Sequence, residues 1–372
     1  LIANYLNDNV PCDVFLLDFA RAFDKVEHQI LIENLSGLNI AGGLLLWIEN
    51  FLQNRSQCVI YDGAISLPKP VRFGVIQGSV IGPTLFLGFI NDLPAEVVTC
   101  DLELFADDSK IIAPARNGTD KCNVQKDLSA IGRWSVQNHL PLCVDKSACL
   151  HYGHRNPKFC YDINGDAIKS APECADLGVM RSADFDYRQH IDKICLKASR
   201  LSAMLTRVLV SRDKATLMRL FNAYVRPTIE YASPIWSPTQ LGLRAQLERV
   251  QKRFTRRLYG HDAPDYKARL SELGTTSLST RRDYLDLVLA YGLVHGVVDA
   301  DVGRLGVQMN QNNTRGHGNN IIVQRARTAY VGRSYTYRIA KMWNSLPMSV
   351  KSQTTLLPFK KRLLAFLTDF SH

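Results

Sequence analysis

The chain has 372 residues, of which 46% are hydrophobic, and this composition excludes an intrinsically disordered protein. Its formal net charge of +10 is unevenly distributed, because residues 1–150 hold 11 Lys and Arg against 17 Asp and Glu, whereas residues 151–372 hold 34 against 18. Such asymmetry suits a protein that binds cations in one part and a polyanion such as nucleic acid in another, although a solvated basic surface explains the charge about equally well.

The cysteines and the apolar stretches restrict the class of protein further. The nine cysteines form no CxxC pair and no Cys/His spacing of the zinc type, so we expect reduced thiols and no metal site built on sulfur. The longest weakly polar stretch, residues 285–298, contains His295 and is too short to cross a bilayer. We therefore expect an intracellular protein that does not associate with membranes.

The first part of the chain alternates between strand and helix patterns. Residues 13–18, DVFLLD, predict a strand, and the helical spacing of apolar residues in FARAFDKVEHQILIENL, residues 19–35, predicts a helix directly after it. Residues 57–61 and 65–71 predict two strands joined by a turn at Asp62-Gly63.

A glycine-rich turn then leads into an apolar helix within FGVIQGSVIGPTLFLGFINDLP, with Ser79 as the candidate N-cap and Pro83 in the first turn. The hairpin LELFA-DD-SKIIA follows, and after it come a helix around residues 125–138, a strand near residues 148–152 and a hairpin-like segment that turns at Asn164-Gly165. This order predicts an α+β domain with a small antiparallel sheet.

The second part of the chain is predicted to be helical from about residue 190 onward. Residues 186–262 carry 15 Lys and Arg against 6 Asp and Glu, which indicates a basic helical domain. Residues 308–320, QMNQNNTRGHGNN, are the best linker candidate. The final element, LLPFKKRLLAFLTDF, reads as an amphipathic helix from the spacing of Phe359, Leu363, Leu364, Phe366 and Leu367.

Three aspartates stand at predicted strand ends: Asp18 after the first strand, and Asp107 and Asp108 in the turn of the hairpin. Like charges in a partly desolvated place are costly unless cations or donors compensate them. Carboxylates in this arrangement can hold two divalent cations, which suits phosphoryl chemistry. An isolated DD in a turn is more often a solvated loop, and only the apolar flanks and the distant Asp18 favour the metal site.

Four segments in this order resemble the successive palm motifs of reverse transcriptases of non-LTR (LINE-type) retrotransposons. They are FLLDFARAFDKV, FGVIQGSVIGPTLFLGFINDLP, LFADDS and RWSVQNHLPLCVDKSACLHYG. CADLGVMRSADFDYRQHI resembles the palm–thumb junction, and RSYTYRIAKMWNSLP with FKKRLLAFL resembles the tail of such enzymes. The resemblance implies a polymerase-type palm in residues 1–185, a helical thumb in residues 186–300, and a linker and tail in residues 301–372.

The resemblance also assigns roles to the acidic residues. It makes Asp18 and Asp107 the carboxylates that bridge two Mg²⁺ ions, with Mn²⁺ as a substitute, and Asp108 a third, more peripheral acid. The backbone carbonyl of Phe19 would complete the coordination shell of one ion. Lys146 matches a lysine that could protonate the leaving pyrophosphate, although an exposed lysine is usually only a solvated charge.

Three further residues would contact the nucleotide. Phe23 matches the aromatic position under the incoming sugar that excludes a 2′-hydroxyl, which implies a preference for dNTPs, and its alternative role is that of a core aromatic. Gln77 and Gly78 match the turn that borders the nascent base pair, where glycine allows close approach and glutamine can bond to sugar or template.

The implied function is RNA-directed DNA polymerisation, in which dNTPs are added to a DNA primer on an RNA template. The basic helices would hold the template–primer duplex by its phosphates. Because the sequence starts just before the first catalytic strand, we expect the fingers and an endonuclease domain to be missing. A catalytically inactive remnant that only binds RNA or DNA is the alternative, and an RNA-copying RNA polymerase is a distant third. From the element type we expect a nuclear or cytoplasmic ribonucleoprotein.

Overall fold

The structure is a computed structural model that describes residues 1–209, 213–305, 307–310, 320–328 and 331–370. Apart from Leu1 and Ala3, the chain divides at Leu177 and Gly178 into two compact units. The division into palm, thumb and tail with boundaries near residues 185 and 300 stays a prediction.

The first unit is built from short strands and six helices within its described residues. In chain order its elements are α1 (Ile2–Asn7), β1 (Cys12–Leu17), α2 (Ala22–Lys25), α3 (His28–Gly37), α4 (Gly42–Leu52), β2 (Arg55–Gln57), β3 (Ile60–Tyr61), β4 (Ala64–Ile65), β5 (Lys69–Val71), α5 (Gly82–Ile90), β6 (Asp101–Phe105), β7 (Asp108–Pro114), α6 (Gly118–Gln137), β8 (Ala148–Tyr152), β9 (Asp162–Ile163), β10 (Asp166–Ala167), β11 (Lys169–Ser170) and β12 (Glu173–Asp176).

A five-stranded sheet in the order β11-β8-β1-β7-β6 forms the centre of this unit. All neighbours are antiparallel except β11 and β8. Strand β1 lies in the middle and is buried along nearly its whole length, which explains why DVFLLD is apolar without strict alternation. The predicted α+β architecture with a small, mainly antiparallel sheet is confirmed.

Alternate residues of the sheet face a layer of helices. Phe15 and Leu17 of β1 belong to the same buried cluster as Phe86 of α5 and Ile131 and Trp134 of α6. Because side chains alternate along a strand, this packing fixes which residues of β1 point to the helices. The core therefore sets the direction in which the chain leaves the strand toward Asp18.

The prediction of one helix over residues 19–35 was wrong in one respect. It is divided into α2 and α3, since Val26 and Glu27 leave the helical conformation to pair with another segment. The carbonyl of Val26 accepts a hydrogen bond from the Gly74 amide at 2.8 Å, and Glu27 forms an isolated bridge with Phe73. A tertiary contact thus overrides the local helical pattern.

The other predicted elements of this unit are present with shifted ends. Helix α6 begins at Gly118, earlier than expected, because the Asn117 side chain accepts from the Asp120 amide as an N-cap. Helix α5 begins at Gly82 with Ile81 as N-cap, so Ser79 is not the N-cap residue. The Ser79 hydroxyl nevertheless accepts a hydrogen bond from the Gly82 amide at 3.0 Å.

Both predicted hairpin turns are confirmed. Asp62 and Gly63 have φ of 47° and 78°, and Asn164 and Gly165 have φ of 55° and 90°. Positive φ at both central residues is typical of the two-residue turns that match the twist of a hairpin. The strands around Asp62-Gly63 are shorter than predicted and form two separate ladders, β2 with β5 and β3 with β4.

The described part of the second unit begins with β13 (Val179–Ser182) and is otherwise helical. Its helices are α7 (Arg188–Val208), α8 (Lys214–Leu220), α9 (Arg226–Glu230), α10 (Ser233–Trp236), α11 (Leu241–Tyr259), α12 (Tyr266–Glu272), α13 (Leu278–Val294), α14 (Val302–Leu305), α15 (Tyr335–Asn344), α16 (Met348–Lys351) and α17 (Leu356–Phe370). A π-helical turn, Phe221–Val225, joins α8 to α9. The predicted change to helix near residue 190 is confirmed.

The second unit has two hydrophobic clusters. One joins α7 to α11 through residues such as Ile191, Phe221 and Phe254. The other joins α13, α15 and α17 through residues such as Tyr291 and Trp343. A buried ion pair adds to the second cluster, with Arg338 Nε 3.0 Å from Asp286 Oδ2.

The amphipathic α17 is confirmed with one exception. Phe359 and Leu363 are buried, and Phe366 and Leu367 pack against the same cluster, whereas Leu364 is 39% exposed. Most of the predicted linker, residues 311–319, lies outside the described residues. No helix in the described part of the chain is long and apolar enough to cross a membrane.

A buried aspartate of α6 anchors the loop that enters β6. Asp127 accepts hydrogen bonds from the amides of Thr99 at 2.9 Å and Cys100 at 2.8 Å, and from the Thr99 hydroxyl at 2.6 Å. Burial by itself would raise the pKa of Asp127, but these hydrogen bonds outweigh it and lower the pKa. The charged carboxylate therefore stabilises the fold.

Replacing this anchor should destabilise the first unit. We expect Asp127→Ala to lower the free energy of unfolding by about 1–3 kcal/mol at pH 7, since buried amides lose their acceptor. Because the folded pKa lies below the unfolded value, this difference is present at neutral pH and is lost as the pH falls through the folded pKa. Chemical denaturation of the wild type, Asp127→Ala and the exposed Asp166→Ala at several pH values measures it. An equal effect of Asp166→Ala would contradict the assignment.

Candidate active site

Asp18 and the acidic hairpin meet at one end of the central sheet. Leu17, the last residue of β1, pairs with Ser109 of β7, so Asp18 leaves its strand opposite the point where Asp108 begins the neighbouring strand. Opposed positions on antiparallel strands lie about 5 Å apart. The register thus brings together aspartates that are some 90 residues apart in the sequence.

The turn between β6 and β7 consists of Ala106 and Asp107. Phe105 pairs with Asp108, which leaves two residues in the connection. Ala106 has φ of 52°, a conformation that costs an L-residue with a Cβ roughly 1 kcal/mol. The turn is therefore tight and presents Asp107 at its tip, whereas Asp108 is already part of β7.

Electrostatic repulsion acts among these carboxylates. Burial raises the pKa of Asp108, and the charges of Asp107, Asp18 and Asp176 raise it further. Oδ2 of Asp18 is buried and accepts no hydrogen bond from the described residues. Crowded hard oxygen donors of this kind fit a divalent cation such as Mg²⁺, which would remove the repulsion.

A loop before β8 contacts Asp18 from the other side. The Cys143 amide donates to the Asp18 carbonyl at 2.7 Å, and the Asp18 amide donates to the Ser147 hydroxyl at 3.3 Å. Between them, Lys146 places its ammonium 3.4 Å from Asp18 Oδ2 and remains largely exposed. Lys146 is therefore part of the acidic site, while its predicted role as a proton donor stays a prediction.

The two aromatic residues predicted at the site have different surroundings. Phe19 is buried and stacks edge-on against Trp134, so only its backbone can serve a ligand. Phe23 is half-buried and stacks on Phe86 with ring centroids 4.4 Å apart. Its position is compatible both with packing and with contact to a sugar, and its selective role stays a prediction.

Gln77 and Gly78 lie in an exposed loop that is tied to the segment containing Phe23. The Gln77 amide nitrogen donates to Asp24 Oδ1 at 2.8 Å, and the Val75 amide donates to the Phe23 carbonyl at 2.9 Å. Gly78 has φ of 83° with open space where a Cβ would lie, so its backbone conformation accounts for the glycine. Their contacts with a nucleotide stay predictions.

Sequence reasoning missed a lysine behind the hairpin. Lys110 Nζ lies 2.9 Å from Asp176 Oδ2 and 3.7 Å from Glu103 Oε2. The Lys110 charge opposes the rise in the pKa of Asp108. These residues line a cavity of about 240 Å³ beside the hairpin. The alternation of side chains along β7 and the pairing of Glu103 with Lys110 across the hairpin were signals that could have revealed this lysine. Nothing local in the sequence pointed to Asp176.

A second cluster of potential metal ligands was also missed. Donor atoms of Asp13, Cys149 and His151 lie within 4.8 Å of one another, whereas the cysteine spacing had predicted no metal site built on sulfur. The pairing of Asp13 with His151 across β1 and β8 brings them together. His151 Nδ1 lies 2.7 Å from Asp13 Oδ1, and the Tyr161 hydroxyl donates to Asp13 Oδ2 at 2.8 Å.

Hydrogen bonds already occupy the donors of this cluster. Asn156 also donates to Asp13 Oδ1 at 2.8 Å, and His151 Nε2 lies 2.9 Å from the Ser170 hydroxyl. Burial and the charge of Asp13 raise the pKa of Cys149, which disfavours the thiolate that a metal needs. The arrangement is a satisfied polar network that joins β1, β8 and β11, and a metal would have to break it.

The second unit carries two rows of exposed basic side chains. Four of the five exposed basic residues of α7 follow a spacing of three, four or seven, which places them on one face: Lys193, Lys197, Arg200 and Arg207. On α11, which packs against α7, they are Arg249, Lys252, Arg253, Arg256 and Arg257. Exposed basic rows of this kind fit a phosphate backbone.

Comparisons with known proteins agree with the motifs at the acidic site. Residues 6–181 match the family described as reverse transcriptase (RNA-dependent DNA polymerase). The RNA-directed DNA polymerase from the mobile element jockey of Drosophila melanogaster is 25% identical over 263 residues, which cover 67% of this chain and 28% of that protein. The probable RNA-directed DNA polymerase from the transposon X-element of the same species is 26% identical over 256 residues, 64% of this chain and 27% of that protein.

The chain thus spans less than a third of the length of these relatives. Among solved structures, telomerase from Candida albicans in complex with a fragment of telomeric RNA aligns with a TM-score of 0.37 and 11% identity, covering 74% of this chain and 54% of that chain. On the family match and the related sequences, residues 6–181 are a reverse transcriptase domain, and the chain is homologous to the RNA-directed DNA polymerases of the non-LTR elements jockey, X-element and BS.

Proposed function

We propose that this chain carries the palm and thumb of an RNA-directed DNA polymerase that adds dNTPs to the 3′-end of a DNA primer on an RNA template. The meeting of Asp18, Asp107 and Asp108 at the end of the β1–β7 ladder is the observation that carries this proposal. Because three carboxylates repel one another there, the site favours the binding of divalent cations, for which we propose two Mg²⁺ ions, with Mn²⁺ as a substitute.

In the proposed reaction, the primer 3′-oxygen bonds to the α-phosphorus of the dNTP as the bond to pyrophosphate breaks. Asp18, Asp107 and the Phe19 carbonyl would hold the ions, with Asp108 as a peripheral acid. When bound by these groups, divalent ions would lower the pKa of the attacking hydroxyl and screen the phosphate charge. Lys146, whose ammonium already lies beside Asp18, would deliver a proton to the leaving pyrophosphate.

The remaining contacts would select and hold the substrates. Phe23 would lie under the sugar of the dNTP, and Gln77 with Gly78 would border the new base pair. In the second unit, the basic rows of α7 and α11 would bind phosphates of the template and primer without reading sequence. A ribonucleoprotein that assembles in the cytoplasm and copies its RNA in the nucleus would suit such a protein.

The acidic pair gives the first test. We expect Asp107→Asn to reduce primer extension on an RNA template at least about 10³-fold, because a metal ligand is lost. Its folding stability should be unchanged or slightly higher, since one like charge is removed. Glu103→Gln, a charge-matched change on the same hairpin, serves as the control. Duplex binding without aspartate-dependent extension would instead support the binding-only alternative.

Phe23 gives a test of sugar selection. We expect Phe23→Ala to raise the relative kcat/KM for rNTPs over dNTPs by between about tenfold and a few hundredfold, because the clash with a 2′-hydroxyl is removed. Phe23→Tyr keeps the ring and should keep the discrimination. Steady-state incorporation of matched dNTP and rNTP pairs provides the measurement. A Phe23→Ala variant that loses stability yet keeps its selectivity would mean that Phe23 is only a core aromatic.

The basic row of α7 gives a test of nucleic-acid binding. We expect Lys193→Ala/Lys197→Ala to weaken binding to an RNA–DNA duplex and to reduce the slope of log affinity against log salt by about 2, since two phosphate contacts are lost. Lys360→Ala/Lys361→Ala removes the same charge from α17 and is the control. Binding titrations at several salt concentrations measure both slopes, and equal changes would argue for a non-specific charge effect.

A further inference from the structure

Arg55 lies where helix α4, strand β2 and the loop before Gln77 meet. It is half-buried and is the first residue of β2, three residues after the end of α4. Its Nε donates to the Leu52 carbonyl at 2.8 Å, one of the carbonyls that a helix end leaves without an internal partner. Its Nη2 donates to the Gly74 carbonyl at 2.6 Å and lies 3.5 Å from the Phe73 carbonyl.

The carbonyl of Gly74 is held by two side chains. Besides Arg55, His28 places Nε2 3.0 Å from this oxygen and 3.1 Å from Arg55 Nη2. A carbonyl oxygen has two lone pairs and can accept from both. The guanidinium is suited to this place because its planar fork directs separate donors to Leu52 and Gly74, which a single ammonium cannot do with the same geometry.

Only glycine fits at position 74. Its φ is 84°, and a Cβ there would lie 2.8 Å from the Asp24 carbonyl oxygen. Its amide donates to the Val26 carbonyl at 2.8 Å, and the next amide, that of Val75, donates to Phe23 at 2.9 Å. Residues 74 and 75 are therefore hydrogen-bonded directly to the segment that contains Phe23. Both the amide and the carbonyl of Gly74 are bonded.

The attachment of residues 74 and 75 to residues 23–26 determines where the Gln77 side chain lies. A carboxylate only accepts hydrogen bonds, so the atom of Gln77 that lies 2.8 Å from Asp24 Oδ1 is the amide nitrogen. The Gln77 side-chain oxygen is then directed away from Asp24 as an acceptor. If the loop at Gly74 detached from residues 23–26, Gln77 would lose its fixed position relative to Phe23.

We propose that Arg55 is a positioning residue for nucleotide binding, which keeps the loop at residues 74–78 attached to residues 23–27 by holding the Gly74 carbonyl. This inference rests on the proposed function, because it takes Phe23 and Gln77 to be the residues that contact the incoming nucleotide. Arg55 touches neither substrate nor metal in this scheme. It acts through the backbone of Gly74.

Two readouts test this role. In Arg55→Ala we expect the KM for dNTPs to rise about tenfold with kcat changed less than twofold, because the loop must be ordered on binding rather than beforehand. In the free protein we expect hydrogen exchange of the amides of Gly74 and Val75 to become at least about tenfold faster, while the amides of β1 and β7 keep their rates. The KM and the exchange rates of Arg55→Lys should lie between those of the wild type and Arg55→Ala. The exposed Arg133→Ala is the charge-matched control.

The exchange measurement separates this inference from the proposed function. If the wild type shows no extension, the proposed function fails, and faster exchange at Gly74 and Val75 in Arg55→Ala still supports the role of Arg55 in holding the loop. Unchanged exchange, or faster exchange with an unchanged KM in an active enzyme, would overturn the proposal. Should Arg55→Ala fold poorly, Arg55→Gln, which keeps one neutral donor, replaces it with the same expected directions.

Discussion

The pairing of β1 with β7, which holds several carboxylates together at one end of the sheet despite their repulsion, is the constraint on which the acidic site depends. Burial of the apolar side chains of β1 fixes the register of Leu17 against Ser109. This register brings Asp18 close to the hairpin although the carboxylates repel one another. The burial of β1 among its neighbours supplies the stability that holds these charges together. Neighbouring cations such as Lys110 and Lys146 reduce the repulsion without removing it.

Two loops are attached to this acidic end by backbone hydrogen bonds in addition to side-chain packing. The Cys143 amide of the loop at residues 143–147 bonds to the Asp18 carbonyl, whereas the bond to the Asp18 amide is made by the Ser147 side chain. The loop around Gly74 bonds to Phe23 and Val26. Because backbone groups are present whatever the side chain, such contacts keep the geometry of a site while the surface residues around it change.

Several features of the fold and the adjacent aspartates of the acidic site could be predicted from the sequence because their signals are local. Asp107 and Asp108 are adjacent, the turn residues Asp62-Gly63 and Asn164-Gly165 carry their own conformational preference, and α17 shows a helical period. What sequence reasoning missed depends on contacts between distant residues. The interruption at Val26 and Glu27 follows from pairing with residues 73 and 74, about 50 positions away.

The same limit explains the missed polar contacts. Asp13 and His151 become neighbours only through strand pairing, and Asp176 meets Lys110 only after the chain has folded. An arginine after a helix, such as Arg55, looks like an ordinary surface residue until its acceptors are known. Rules based on the spacing of residues describe one helix or strand at a time. They therefore cannot predict these contacts, each of which joins two elements.

The two-residue turn at Ala106 and Asp107 has a consequence for how such genes decay. Since β7 pairs with β6 on one side and with β1 on the other, an extra residue in the turn would either lengthen the loop and displace Asp107, or shift one ladder and reverse the facing of its side chains. Inserted residues in the exposed hairpin around Asp62 would leave the acidic end untouched. Among degenerating copies of such a sequence, a change in the length of the turn should therefore mark the loss of the arrangement of Asp18, Asp107 and Asp108 before the fold is lost.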